Sequence, residues 1–370
     1  MRGAERDPLP ARAIEILGCP DCGSPLRSHA AAGSLLALSC GACGVLFPVS
    51  DDILVILPRQ ARNAKLELPL LDRIEGVANA LGLDVEEPLR ATRALVEAAR
   101  DSVSWEWQDE AFWAAEYGHT LAVGERKNWN DRLWEREPFV SLMLRETGDL
   151  EGRVIADVGV GEAQTFIRLI EPRCTPTTLY VAADISLAAL RLSRARNPHL
   201  NALYVLCTAD RLPLRTGSVD LLCYFGIMHH TERKVGLIGD ASSLLRPGGL
   251  LLLHESVERP RGSALFGLNV EEQSAHEERL DAGVLQQTLR LTRGVRVLAS
   301  REYHTALYTV LTRGPLGAVA MRWYPLFKLA EAMDAVAMRL LRRRFPLFRP
   351  GMVLVVARKD VPEPVATRAP

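Results

Sequence analysis

The chain has 370 residues, 48% of them hydrophobic, and 45 Lys plus Arg balance 45 Asp plus Glu. That length supports two or three packed cores, and a formal net charge of zero removes the global field that would draw in nucleic acid. Residues 1–17 mix both charge signs without an apolar core of signal-peptide length, and no run approaches 18 uninterrupted apolar residues, so a soluble, cytoplasmic protein is expected.

Four of the seven cysteines form two Cys-x-x-Cys pairs, Cys19 with Cys22 and Cys40 with Cys43, with 17 residues between the inner cysteines. Each pair puts two thiolates on one side of a turn relieved by Gly23 or Gly44. Four sulfurs complete tetrahedral zinc and leave no open position, so the predicted metal is structural. Four unligated thiols of a reducing compartment are the plainer alternative. Together with Leu17-Gly18-Cys19-Pro20 and the segment from Gly44 to Pro58, this region resembles the small zinc-ribbon proteins that bind and activate methyltransferases. The resemblance covers about residues 14–58 and implies a partner subunit fused in cis. It departs at Asp52, where that family usually has glycine.

Residues 59–100 carry Leu, Val and Ala at helical spacing, interrupted by Pro69, Gly82 and Pro88, which predicts several short helices. Trp105, Trp107, Phe112, Trp113, Tyr117, Trp129 and Trp134 then crowd together, with five of the six tryptophans. Two readings are open. One is a lid over a cofactor and an organic substrate, with His119, Asn128 and Arg132 as its polar groups; the other is a helical subdomain that packs through its indoles.

Val154 to Val158 is an apolar run containing Asp157, followed by Gly159-Val160-Gly161, which reads as strand, tight turn and helix start. Glycines there let backbone approach a ligand where a Cβ would collide. Gln164 stands where a dinucleotide fingerprint needs a third glycine, so a dinucleotide is not the first choice. Leu179 to Ala183 is the second strand and ends at Asp184, whose carboxylate could accept from both ribose hydroxyls or cap the helix Leu187 to Arg196; Ser186 could provide that cap instead. Leu203 to Cys207 is the third strand and leads to Ala209-Asp210. Val219 to Phe225 is the fourth and runs into Gly226, and after a helix from Lys234 to Leu245, Leu250 to His254 is the fifth. This alternation predicts an α/β, Rossmann-like, seven-stranded, mostly parallel sheet with helices on both faces and ligands at the carboxyl ends of its strands.

Asp157-Val158-Gly159-Val160-Gly161, Asp184 before Ile185-Ser186, Ala209-Asp210-Arg211-Leu212-Pro213-Leu214, the pair His229-His230 and Leu245-Arg246-Pro247-Gly248-Gly249 together resemble a class I S-adenosylmethionine-dependent methyltransferase. The match spans about residues 150–257 and lies nearest the ubiquinone-type and small-molecule enzymes. The resemblance implies that Gly159 and Gly161 pass the methionine part of the cofactor, Asp184 holds ribose, Asp210 beside Ala209 holds adenine, and Gly226 meets the cofactor amine through backbone. Ala163 replaces another frequent glycine.

A sulfonium needs little covalent help, so the enzyme must orient the acceptor and manage its proton. His230 is the first candidate for that role, with His229 and His254 beside it at the strand ends near Glu255. Past Glu255 the clustered acids Glu271, Glu272, Glu277 and Glu278 lack metal spacing and read as a solvated face. Tyr303 to Leu311 and Met352 to Arg358 are the predicted closing strands. Between them lies an amphipathic insert from about Trp323 that ends in Arg342-Arg343-Arg344. This insert is suited to an anionic membrane, a lipid-linked or phosphate-bearing substrate, or simply solvent.

The expected layout is a zinc ribbon at 1–58, an aromatic-rich helical cap at 59–140, a methyltransferase core at 141–315, and at 316–370 the insert, the last strand and a disordered tail. The expected activity is methyl transfer from S-adenosylmethionine to O or N of a small-molecule or lipid-linked acceptor. RNA or protein modification is the alternative, and a non-catalytic cofactor-binding module the second. Nucleic acid is not expected as a partner, and peripheral membrane contact is one reading of the basic insert, beside a substrate pocket and a plain solvent face.

Overall fold

The computed structural model describes residues 11–31, 33–100, 107, 145–161, 173–197, 201–257, 280–303, 324–345, 348 and 350–361. A short helix α1 (Ala11–Glu15) leads into four antiparallel strands, β1 (Leu26–Ala31), β2 (Ser34–Cys40), β3 (Val45–Ser50) and β4 (Ile53–Val55). Helices α2 (Ala64–Leu81) and α3 (Glu86–Ala98) follow. The predicted break at Pro69 does not occur. Leu71, Ile74 and Ala78 bury one face of α2, and its true end is Gly82, which takes the left-handed conformation at the C-cap.

The second half alternates as expected: β5 (Val154–Val158), β6 (Leu179–Asp184), α4 (Leu187–Arg196), β7 (Ala202–Leu206), β8 (Val219–Phe225), α5 (Lys234–Leu244) and β9 (Leu245–Ser256). It closes with α6 (Ala282–Leu291), β10 (Val295–Tyr303), α7 (Tyr324–Leu341) and β11 (Met352–Lys359). Of the closing strand expected from Tyr303 to Leu311, only Tyr303 is described, as the last residue of β10. Its apolar alternation begins at Val295, and residues 304–311 lie outside the described set, as do Glu271, Glu272, Glu277, Glu278 and every residue of the aromatic segment except Trp107.

The sheet runs β7-β6-β5-β8-β9-β11-β10, the seven strands expected, with β11 antiparallel to both neighbours and the others parallel. It is larger than seven because β4 pairs in parallel with β7, Ile53 opposite Tyr204, so the ribbon's four strands extend one edge to make eleven. Along β5, alternate residues face opposite cores: Val154, Ala156 and Val158 one way and Ile155 the other. The first of these cores continues into the ribbon through Leu38, Val45, Phe47 and Leu54.

Two further devices hold the ribbon in place. Gly18 N–H donates to Pro213 O at 3.0 Å and Arg215 N–H to Ile16 O at 2.8 Å, so the first cysteine knuckle zips against the loop after β7. Asp51 and Asp52 form the β3–β4 turn with φ of 51° and 58°, a conformation short acidic side chains tolerate. From α4, Arg191 meets the Asp51 carboxylate at 2.7 Å and Arg194 meets that of Asp52 at 2.5 Å. The departure from glycine at Asp52 thus supplies a carboxylate for the adjoining helix.

Candidate functional site

Strand order reverses between β5 and β8, because β5 connects onward to β6 on one side while β8 leads to β9 on the other. Such a switch point opens a crevice at the carboxyl ends of the two strands. The glycine turn after β5 sits there. Gly159 N–H and Val160 N–H both donate to Ala183 O, at 2.8 and 3.2 Å, pinning the turn to the end of β6. Gly159 has φ of 70°, and a Cβ at this position would lie 2.9 Å from the Ile227 side chain.

Asp184 closes β6. Its Oδ2 accepts from Gly161 N–H at 2.9 Å and its Oδ1 from Ser186 N–H at 2.8 Å. Ser186 is the α4 cap, its hydroxyl accepting from Ala189 N–H, so Asp184 is released from capping. Burial raises the Asp184 carboxyl to about 6, against the pull of the backbone donors. Asp157, one strand inward, is buried, accepts from the Tyr180 hydroxyl at 2.9 Å, and is pushed up to about 7 by desolvation. At Cys207, burial followed by the carboxylates of Asp184 and Asp210 raises the thiol.

Ala209 and Asp210 line a cavity of about 330 Å³ together with Tyr224, Arg233 and, from the ribbon, Cys19 and Asp21. Gly159, Gly161 and Asp184 do not line it. Asp210 therefore faces a cavity that the ribbon helps to wall.

Across the crevice, Gly226 ends β8 with φ of 66° and donates its N–H to His254 O at 2.8 Å. Sequence reasoning named Glu255 only as a neighbour of the histidines, yet it organises this wall. Fully buried, it accepts from Ile227 N–H at 3.0 Å and Met228 N–H at 2.9 Å through Oε1, and meets His229 Nδ1 at 2.9 Å through Oε2. Its signal in the sequence was a carboxylate at the end of an otherwise apolar strand. The three histidines are brought close but not made equivalent. His229 is held by Glu255, its ring centroid 4.1 Å from that of His230. His254 is buried in β9 beside Phe225. His230 is half-buried, and burial lowers it and His254 to about 3.

In the ribbon, the sulfurs of Cys19, Cys22, Cys40 and Cys43 all lie within 4.8 Å of one another. Cys19 and Cys43 are 3.9 Å apart, and Cys22 and Cys40 3.5 Å. A tetrahedron with sulfurs about 2.3 Å from zinc requires separations of about 3.8 Å, so the donor set fits the metal. Hydrogen bonding to Ser24 lowers Cys22 to about 6, while burial raises Cys19 and Cys43, the latter to about 11.

Residues 156–253, from β5 to β9, match a sequence family described as a methyltransferase domain. The chain carries a methyltransferase domain. It contains the glycine turn, Asp184, Asp210, Gly226 and the His229–His230 pair. Among curated proteins, the chain is 26% identical over 147 residues to the tRNA U34 carboxymethyltransferase of Desulfotalea psychrophila, covering 37% of this chain and 43% of that one. The chain thus spans less than half the length of this relative. Among solved structures, the complex of the Haloferax volcanii Trm112 methyltransferase activator with its candidate methyltransferase is 17% identical, with a TM-score of 0.46 over 70% of this chain and 100% of that one. An S-adenosylmethionine-dependent methyltransferase from Mesorhizobium loti is 19% identical, with a TM-score of 0.40 over 61% and 98%. Among the described residues, no helix is long and apolar enough to cross a membrane.

Proposed function

We propose that the chain is an S-adenosylmethionine-dependent methyltransferase stabilised by a structural zinc ribbon, and that its acceptor is RNA. The observation that carries the enzymatic reading is the glycine turn at the switch point, where Gly159 has no room for a Cβ and Gly161 is tied to Asp184. These residues fit the cofactor: the turn gives backbone access, Asp184 offers a carboxylate acceptor at the end of β6, and Gly226 lies in the turn that follows β8. When bound, S-adenosylmethionine supplies an activated methyl on sulfur. Asp210 is assigned to the adenine end and Asp157 to support from below, through the Tyr180 hydroxyl.

The histidines then divide their work. His229, fixed by Glu255, shapes the loop that walls the site. His254 completes a strand. His230, neutral at pH 7 because burial holds it near 3, orients an acceptor by hydrogen bonding and is a weak base. Cys19, Cys22, Cys40 and Cys43 hold zinc away from the chemistry.

The acceptor reading reverses the order expected from neutral charge, which placed small-molecule or lipid-linked acceptors ahead of RNA. It is supported by the tRNA-modifying relative and by the ribbon's resemblance to methyltransferase activators. A lipid-linked acceptor is kept as the second reading on one observation, the exposed apolar face of α7. Labelled methyl transfer into cell extract, fractionated into RNA, protein, lipid and metabolites, tests both levels. Label in RNA is expected. Label confined to lipid overturns the acceptor, and no label in any fraction overturns the enzyme.

A further inference from the structure

Helix α7 packs against β10 through one face, where Ala330 and Asp334 are buried, and its end is tied by Arg342 to Glu302 at 3.0 Å. Leu329, Met333, Val336 and Leu340 recur at spacings of four, three and four, which places them on a single stripe turned away from that contact. All four are about half exposed or more, from 49% to 69%, and Phe345 just past the helix is 52% exposed. Four of the ten exposed large hydrophobic residues among the described residues thus sit on this one helix, and Phe345 follows it directly. A stripe of that kind on a soluble surface marks an interaction site.

The charge around the stripe says what it meets. Residues 324–345 hold Lys328, Arg339, Arg342, Arg343 and Arg344 against Glu331 and Asp334, in a chain whose net charge is zero. Asp334 is on the buried face, and Glu331 is engaged by Lys328 at 2.6 Å. Arg343 and Arg344 lie three and four residues beyond Leu340, where the stripe would continue, and both are exposed. An apolar stripe bordered by arginines, on a helix not long and apolar enough to cross a membrane, has the makings of an element that lies in a bilayer interface. Its apolar residues enter the acyl boundary while the guanidinium groups reach anionic headgroups. RNA would satisfy the arginines but gives Leu329, Met333 and Val336 nothing to bury against.

We propose that α7 docks this protein on an anionic membrane surface, independently of which acceptor the methyltransferase domain serves. The test is flotation of the full-length protein with vesicles of phosphatidylcholine containing phosphatidylglycerol, and with phosphatidylcholine alone. The wild type is expected to float with the anionic vesicles only. Val336→Asp/Leu340→Asp and Arg343→Glu/Arg344→Glu variants should each lose at least tenfold in partitioning, with melting temperature and cofactor affinity unchanged because the altered side chains are exposed. Wild-type protein that stays with neither vesicle, or variants that still float, overturns the proposal. Sedimentation showing that the Asp variant dissociates a wild-type dimer would also overturn it, by assigning the stripe to a second copy. So would tRNA binding that is lost in the Glu variant without any vesicle binding. Because the readout is flotation, its failure leaves methyl transfer untouched.

Discussion

The carboxylate of Glu255 meets His229 Nδ1 at 2.9 Å while its other oxygen accepts two consecutive backbone N–H groups, those of Ile227 and Met228. One buried side chain therefore sets both the loop after β8 and the orientation of a histidine. Glu255→Ala leaves buried donors unpaired at about 1–3 kcal/mol each, so a clear drop in melting temperature by differential scanning fluorimetry is expected, together with weaker cofactor binding. Glu255→Gln keeps an acceptor for the loop but turns an amide towards His229. The fold should survive while turnover at saturating cofactor falls.

Gly159 and Gly217 provide a matched pair for the glycine turn. Both have φ near 70°, so alanine at either costs about 1–2 kcal/mol in backbone strain. Only at Gly159 does the new Cβ also meet a side chain, Ile227 at 2.9 Å, whereas nothing lies within 4 Å at Gly217. Isothermal titration with S-adenosylmethionine should show at least a tenfold loss for Gly159→Ala and no change for Gly217→Ala.

Asp184 has a carboxyl raised in the fold to about 6, and Asp157 to about 7, both above the ordinary unfolded value near 4. The folded protein then binds more protons than the unfolded chain through that window. These two groups therefore stabilise most below about pH 4, and their contribution is lost as pH rises through about 6 to 7. Cofactor affinity should run the other way, strengthening through about pH 6 as Asp184 ionises and becomes a better acceptor for hydroxyls. Asp184→Asn should weaken binding and flatten that rise, measured by titration from pH 5 to 8.

Metal removal should reach the methyltransferase domain. The knuckle holding Cys19 is bonded to the loop after Asp210 through Gly18 and Pro213, and Cys19 and Asp210 wall the same cavity. Elemental analysis should find one zinc per chain, and Cys22→Ser/Cys43→Ser should lose it, melt at lower temperature and bind cofactor less tightly.

Much of this was legible in the sequence because it rests on local chemistry. Four cysteines at knuckle spacing, a glycine turn after an apolar run, and Asp184 ahead of a helix that Ser186 caps all come together as their neighbours along the chain imply. What was not legible depends on partners far away. Nothing near Asp52 announces Arg194, and nothing near Val55 announces Leu206 as its strand partner. Glu255 was visible as a residue but not as an organiser, since its three partners lie more than 25 residues back. Pro69 misled because burial of the α2 face outweighs one missing hydrogen bond.

The strand β4 finds its neighbour β7 about 150 residues later in the chain. The ribbon's four cysteines precede β7 in the chain, so during synthesis they emerge before it does. Ile53–Val55 then waits as an open strand edge, the kind of surface that recruits the wrong partner when left bare. Covalent linkage makes the search for the right one intramolecular, at a local concentration that no separate subunit in the cell need match. The ribbon and the core thus share one sheet through a single pair of strands far apart in the chain.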